Sequence, residues 1–147
     1  MPDHSKAGAH FATVIAISKA KKLSKKEIEH LLIDATEQPI ERPKKGQRSY
    51  YSGKKKHDTM KTQITTNRKG RIIDVSKPIP GSVHDFTIFK RGQPLPPDST
   101  AFVDSGFKGI DKVHSAAEFP YKATKNKPLN KEEKEYNRAL SRIRVKV

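Results

Sequence analysis

The sequence predicts a mixed α/β fold, and three observations carry that prediction. Two short apolar runs, Leu31 to Thr36 and Ala101 to Asp104, have the length and composition of strands buried on both faces, and each contains a single acid. Residues 57 to 76 alternate as a β-hairpin does, around the turn Asn67-Arg68-Lys69-Gly70. Two segments, one opening at Ser82 and one at Asn130, carry apolar side chains at helical spacing.

In chain order, residues 1 to 22 are mixed and poorly patterned. The run Ala12-Thr13-Val14-Ile15-Ala16-Ile17 is too short to span a bilayer, and its lysines follow the apolar stretch where a signal peptide would have them precede it. No targeting segment is expected. Ser24-Lys25-Lys26-Glu27 has the spacing of a capping box and predicts a short helix before residue 31. The apolar run that follows is bounded by Pro39. From Arg42 to Lys56 the chain is basic and polar, with Lys44, Lys45, Arg48, Lys54 and Lys55 among its charges, Gly46 and Gly53 as breakers and Tyr50-Tyr51 in the middle. A loop or ragged hairpin is expected there.

The hairpin places Met60, Thr62, Ile64 and Thr66 on one side, and its return strand carries Ile72, Ile73 and Val75. Pro78, Pro80 and Gly81 end it, and Ser82-Val83-His84-Asp85 starts a short helix with Val83, Phe86 and Phe89 at helical spacing. A connection through Pro94, Pro96 and Pro97 leads to the second apolar strand, whose acid stands at its end beside the turn Ser105-Gly106. A loop with Lys122, Lys125 and Lys127 precedes the last helix, with Asn130 as N-cap, Glu133 as its partner and a stripe of Tyr136, Leu140, Ile143 and Val147. The stripe runs to the last residue without a stop signal, and truncation of a longer helix is the expectation.

The 147 residues suit one domain. Only 33% are hydrophobic, and mean hydropathy is -0.83, so the core must come from these few apolar runs. A formal net charge of +15, from 31 Lys and Arg against 16 Asp and Glu, attracts polyanions and makes nucleic acid the expected partner. No long amphipathic helix accompanies the lysines, which argues against a membrane-surface role. The chain has no Cys, which removes disulfides and thiolate metal sites.

The chemistry centres on Asp34 and Asp104. An ionised carboxylate inside an apolar strand must be paired, hydrogen-bonded or metal-bound. If the two strands were neighbours, these carboxylates would meet at one spot, where a cation would relieve their repulsion; oxygen-only ligation suits Mg²⁺ or Mn²⁺. The surrounding lysines and arginines would then hold a phosphate backbone while the metals act on one phosphodiester. The plainer alternative for each Asp is a strand-end residue that caps a turn. His84-Asp85 resembles a metal-binding pair but lacks further His ligands, and Ser82 with Asp85 is more simply a capping box. Tyr50-Tyr51 offers either base stacking or packing over the hairpin, and the lysine runs either phosphate contact or a solvated face.

Five strings occur in order: Ile33 to Ile40 (IDATEQPI), Tyr50 to His57 (YYSGKKKH), Pro80 to Asp85 (PGSVHD), Val103 to Gly109 (VDSGFKG) and Tyr136 to Val145 (YNRALSRIRV). Together they resemble bacterial insertion-sequence DDE transposases across residues 31 to 147. The resemblance implies a ribonuclease H-like fold, a mixed sheet flanked by helices and here incomplete, with residues 1 to 30 the remnant of a helical N-terminal segment. It implies Asp34 on the first strand and Asp104 at the end of the fourth as catalytic ligands of two divalent metals, Mg²⁺ or Mn²⁺.

The implied chemistry is hydrolysis at element ends followed by attack of the freed 3′-hydroxyl on target DNA. The family's third carboxylate, a Glu, is expected directly after Val147; Glu132, Glu133 and Glu135 stand more than two turns too early. Cleavage is therefore expected to be impaired. DNA, both element ends and target, is the implied partner, through Arg42, Lys44, Lys45, Arg48, Tyr51, Lys54, Lys55, Lys56, Lys122, Lys125, Arg138, Arg142 and Arg144. Self-association or association with a full-length transposase, and a cytoplasmic, nucleoid-associated location, complete the expectation. Two rivals stand beside it: a non-catalytic binding module that competes with a full-length transposase for DNA, and an RNA-structural protein, which gives no reason for acids within apolar strands.

Overall fold

A computed structural model describes residues 23–145, so the run at 12–17 and Val147 lie outside the described residues. In chain order the elements are α1 (Lys25–Ile28), β1 (His30–Pro39), α2 (Gln47–Tyr50), β2 (Tyr51–Ser52), β3 (His57–Asn67), β4 (Ile72–Val75), β5 (Ile79–Pro80), α3 (Asp85–Arg91), β6 (Thr100–Val103), two 3₁₀ turns (Ser105–Phe107 and Ile110–Lys112), β7 (Ala117–Glu118) and α4 (Lys131–Val145). The strands form one mixed sheet in the order β2-β3-β1-β6-β7, with β4 and β5 also pairing with β3. β1 pairs antiparallel with β3, from Leu31↔Asn67 to Pro39↔Thr59, and parallel with β6, from His30↔Thr100 to Ile33↔Val103. This mixed sheet with helices on its faces is the incomplete ribonuclease H-like architecture that the sequence implies.

Strand alternation explains how so few apolar residues build two core layers. Ile33, Ala101 and Val103 point to one face, where they meet Phe89 of α3 and Phe107 and Ile110 of the 3₁₀ turns. Leu32 and Phe102 point to the other, where Leu140 of α4 covers them, flanked by Tyr136 and Ile143. The expected stripe of the last helix is thus its sheet-facing side for each described member. Both predicted capping boxes form. Ser24 and Glu27 bond each other's backbone N–H, and so do Asn130 and Glu133.

Several boundaries differ from expectation for physical reasons. β1 continues through Thr36 to Pro39 because β3 supplies a partner along its whole length, and a proline at the end of a strand leaves no missing ladder bond inside it. The basic segment from 42 to 56 is partly ordered: α2 and β2 interrupt it, and β2 pairs with the start of β3. Helix α3 starts at Asp85 with His84 as N-cap and no side-chain cap bond, so Ser82 and Asp85 do not form a capping box. The Ser82 hydroxyl instead donates to the Ser49 carbonyl, and Asp85 is drawn to Lys61. Val83 consequently lies before the helix rather than on its stripe.

In the turn that joins β2 to β3, Lys56 adopts a left-handed backbone with φ of 62°, and its N–H donates to the Ser52 carbonyl. A side chain is strained in that region and glycine is not. Lys56→Gly is expected to gain about 0.5 kcal/mol of stability, the relief of strain exceeding the added freedom of the unfolded chain; urea denaturation measures it. Among the described residues, no helix is long and apolar enough to cross a membrane.

Candidate active site

Because β1 and β6 run parallel with Ile33 opposite Val103, the next residue of each strand, Asp34 and Asp104, stands beside the other. By alternation both share the face of Leu32 and Phe102, the face that α4 covers. The apolar layer ends at this point. Leu31, Leu32 and Ile33 are buried, whereas the Asp34 side chain is 74% exposed and that of Asp104 47%. Neither acid is therefore enclosed among apolar residues as the sequence suggested; each stands where the buried run meets water. Each also fixes its own carboxylate locally. Asp34 Oδ1 accepts from the Ala35 N–H at 2.9 Å, and Asp104 Oδ1 accepts from the Ser105 N–H at 2.6 Å, which caps the first 3₁₀ turn. The turn-capping role and the paired-acid role coexist in Asp104.

Among the described residues, one cation joins the pair. Arg144 of α4 places Nη2 3.8 Å from Asp34 Oδ1 and Nη1 3.7 Å from Asp104 Oδ1. Helical rotation explains why this arginine and not its neighbours reaches the sheet: at roughly 100° per residue, Arg144 lies about 40° from Leu140, whereas Arg142 lies on the far side. Arg138 and Arg142 are accordingly exposed. Glu132 and Glu135 are exposed near the start of α4, and Glu133 is spent on its cap, so none of the three joins the acidic pair. Among the described residues, no group of three or more His, Cys, Asp or Glu converges.

A second ionic cluster braces the frame. Lys61 of β3 lies 3.1 Å from Asp85 Oδ1 and 3.7 Å from Glu37 Oε1, and donates to the Val83 carbonyl at 2.9 Å. The side chains of Lys61 and Glu37 are only 12% and 9% exposed. Burial pushes the Glu37 carboxyl up, but hydrogen bonds from Ser52 and Thr59 and the Lys61 charge outweigh it and leave Glu37 below its ordinary range. Asp85 also presses on the turn after Asp104: a side chain at Gly106 would place its Cβ 2.8 Å from Asp85 Oδ2. The sequence hides the cluster, because alternation assigns Lys61 to the polar side of the hairpin and capping chemistry accounts for Asp85. Nothing local signals that the three charges meet.

Residues 33–147 match the family described as DDE superfamily endonuclease. The chain belongs to this family. It is also 42% identical over 118 residues to a protein from Microchaete diplosiphon described as a probable transposase for insertion sequence element IS702, an alignment that covers 80% of this chain and 43% of that relative. The chain therefore spans less than half the length of the curated relative it matches. No solved structure matches it.

Endonucleases of the DDE superfamily use divalent metals, and the two aspartates fit such an ion in chemistry. Their donors are carboxylate oxygens alone, solvent reaches both, and their proximity calls for a cation. The other expected DNA-contacting residues of this DDE chain lie away from the pair. Arg42, Lys44, Lys45, Arg48, Lys54, Lys55 and Lys56 are exposed, with Tyr51 48% exposed among them, on the segment that joins the far end of β1 to β3. Pro39 lies five steps of extended chain beyond Asp34, roughly 17 Å at about 3.3 Å per step. Lys122 and Lys125 are exposed on the loop before α4. Arg42 spends its Nε on Gln47, at 3.0 Å. Of the expected phosphate-binding residues, Arg144 alone stands against the acidic pair.

Proposed function

We propose that this chain is a DNA-binding portion of a DDE transposase nuclease domain in which Asp34 and Asp104 are the catalytic carboxylates and hold Mg²⁺ or Mn²⁺. The observation that carries the reading is the side-by-side placement of the two acids on parallel strands, with a single guanidinium reaching both. When bound, divalent ions supply the Lewis acidity for in-line phosphoryl transfer. The chain's own residues fix the rest. The Ala35 and Ser105 N–H groups orient the two carboxylates, and the exposed basic segment from Arg42 to Lys56, with Lys122, Lys125, Arg138 and Arg142, holds the phosphate backbone through charge. Among the described residues two carboxylates converge and no third joins them, and competition with a longer transposase for the same DNA is the second reading.

The test is a plasmid-nicking and duplex-binding assay on the purified chain in Mg²⁺ and Mn²⁺. Binding should weaken steeply with salt, because released counterions drive it. Slow nicking is expected in Mn²⁺, lost in Asp34→Asn and in Asp104→Asn while both variants still bind DNA. Nicking that survives both substitutions would sink the catalytic assignment. Binding without nicking in either metal would favour the competitor.

A further inference from the structure

The geometry points to Arg144 as an exchangeable internal cation: we propose that it holds Asp34 and Asp104 together and that a divalent ion binds the pair by expelling it. The proposal rests on the reading of these aspartates as cation ligands and concerns the residue that stands between them. Three observations support it. First, the contacts are ionic rather than tightly hydrogen-bonded. At 3.7 and 3.8 Å they exceed the 2.7–2.9 Å of a charge-assisted bond, and Asp34 is 74% exposed, so little is lost when they break.

Second, both contacts reach the Oδ1 atoms that the adjacent backbone N–H groups already hold, so the carboxylates keep their orientation when the guanidinium leaves. Third, the side chain has somewhere to go. Arg144 lies beside a groove lined by Pro120, Asn137, Leu140, Ser141 and Val145, along the flank of α4. A doubly charged ion at the carboxylates repels a guanidinium held a few ångströms away, and the two cations therefore compete for one acidic pair. In this scheme Arg144 offsets the repulsion between the two acids until the ion takes its place.

Mn²⁺ titration by isothermal calorimetry on the whole chain, at low salt and without DNA, tests the exchange. Arg144→Gln is expected to bind Mn²⁺ roughly three- to tenfold tighter than the parent, the scale of two exposed ion pairs removed. Arg144→Lys, which keeps a charge, is expected to stay close to the parent. A structural role alone would weaken Mn²⁺ binding or leave it unchanged. Unchanged or weaker binding in a folded Arg144→Gln chain, or a Lys variant as tight as the Gln variant, overturns the exchange and leaves the aspartates as ligands. Mn²⁺ binding that is the same in Asp34→Asn as in the parent overturns both readings.

Should Arg144→Gln fail the circular-dichroism check for folding, Mg²⁺ titration of the parent decides the matter by NMR. The Arg144 side-chain Nε–H resonance should then move with the Asp34-dependent binding curve. A resonance that stays fixed while Mg²⁺ binds overturns the exchange.

Discussion

Phe107→Ala should lower the unfolding free energy by about 3–5 kcal/mol, the usual cost of replacing a buried phenylalanine by alanine. Phe107 is fully buried and packs with Ile33, Phe89, Val103 and Ile110. It belongs to the first 3₁₀ turn, the turn that Asp104 caps, so the cavity opens beneath the backbone that aims one of the two carboxylates. Urea denaturation measures the loss. A change under about 1 kcal/mol would show that this core layer collapses around the missing ring.

Lys61→Met should cost a similar amount, about 3–5 kcal/mol, because removing one partner of a buried ionic cluster leaves its counter-charges uncompensated. Here Glu37 and Asp85 both lose their cation while the backbone carbonyl of Val83 loses a donor. The pH dependence follows from Glu37, whose folded pKa is lowered from the ordinary 4.5. A depressed carboxyl contributes stability that is present above its unfolded pKa and is lost as pH falls through its folded pKa. The parent should therefore lose this contribution on acidification below about 4.5, and Lys61→Met should lose less of it over the same window, since the Lys61 charge is one of the causes of the depression. Equal acid sensitivity in the two proteins would mean that the hydrogen bonds from Ser52 and Thr59 carry the effect without the lysine.

What could be read in the sequence follows what is local. Apolar run length located β1 and β6, alternation located the β3–β4 hairpin, and side-chain capping located the starts of α1 and α4, because each depends on residues within a few positions of one another. The pairing of Asp34 with Asp104 was reachable one step further on, as a consequence of two strands lying adjacent. Family resemblance placed both acids at matching positions. The Lys61 cluster was not legible, since it joins a mid-hairpin lysine, a residue near the end of β1 and the first residue of α3. Arg144 reads from charge alone as a phosphate binder, although its angular distance from Leu140 on an ideal helix turns it toward the sheet. The exposure of Asp34 is not legible in the sequence, because an apolar run says where burial starts and not where the covering helix ends.

The outer edge of β3 is covered in pieces, which bears on strand addition by another chain. β2, β5 and β4 pair with that edge at separate stations, at His57 and Asp58, at Met60 and Lys61, and from Ile64 to Thr66, with a register shift inside the last. An eleven-residue strand with a free flank would be a template on which another chain could add by hydrogen bonds. Short covering pieces break that template into stretches too brief for another strand to zip along. If one piece frays, the others still cover the rest of that edge, which limits strand-to-strand addition by another chain.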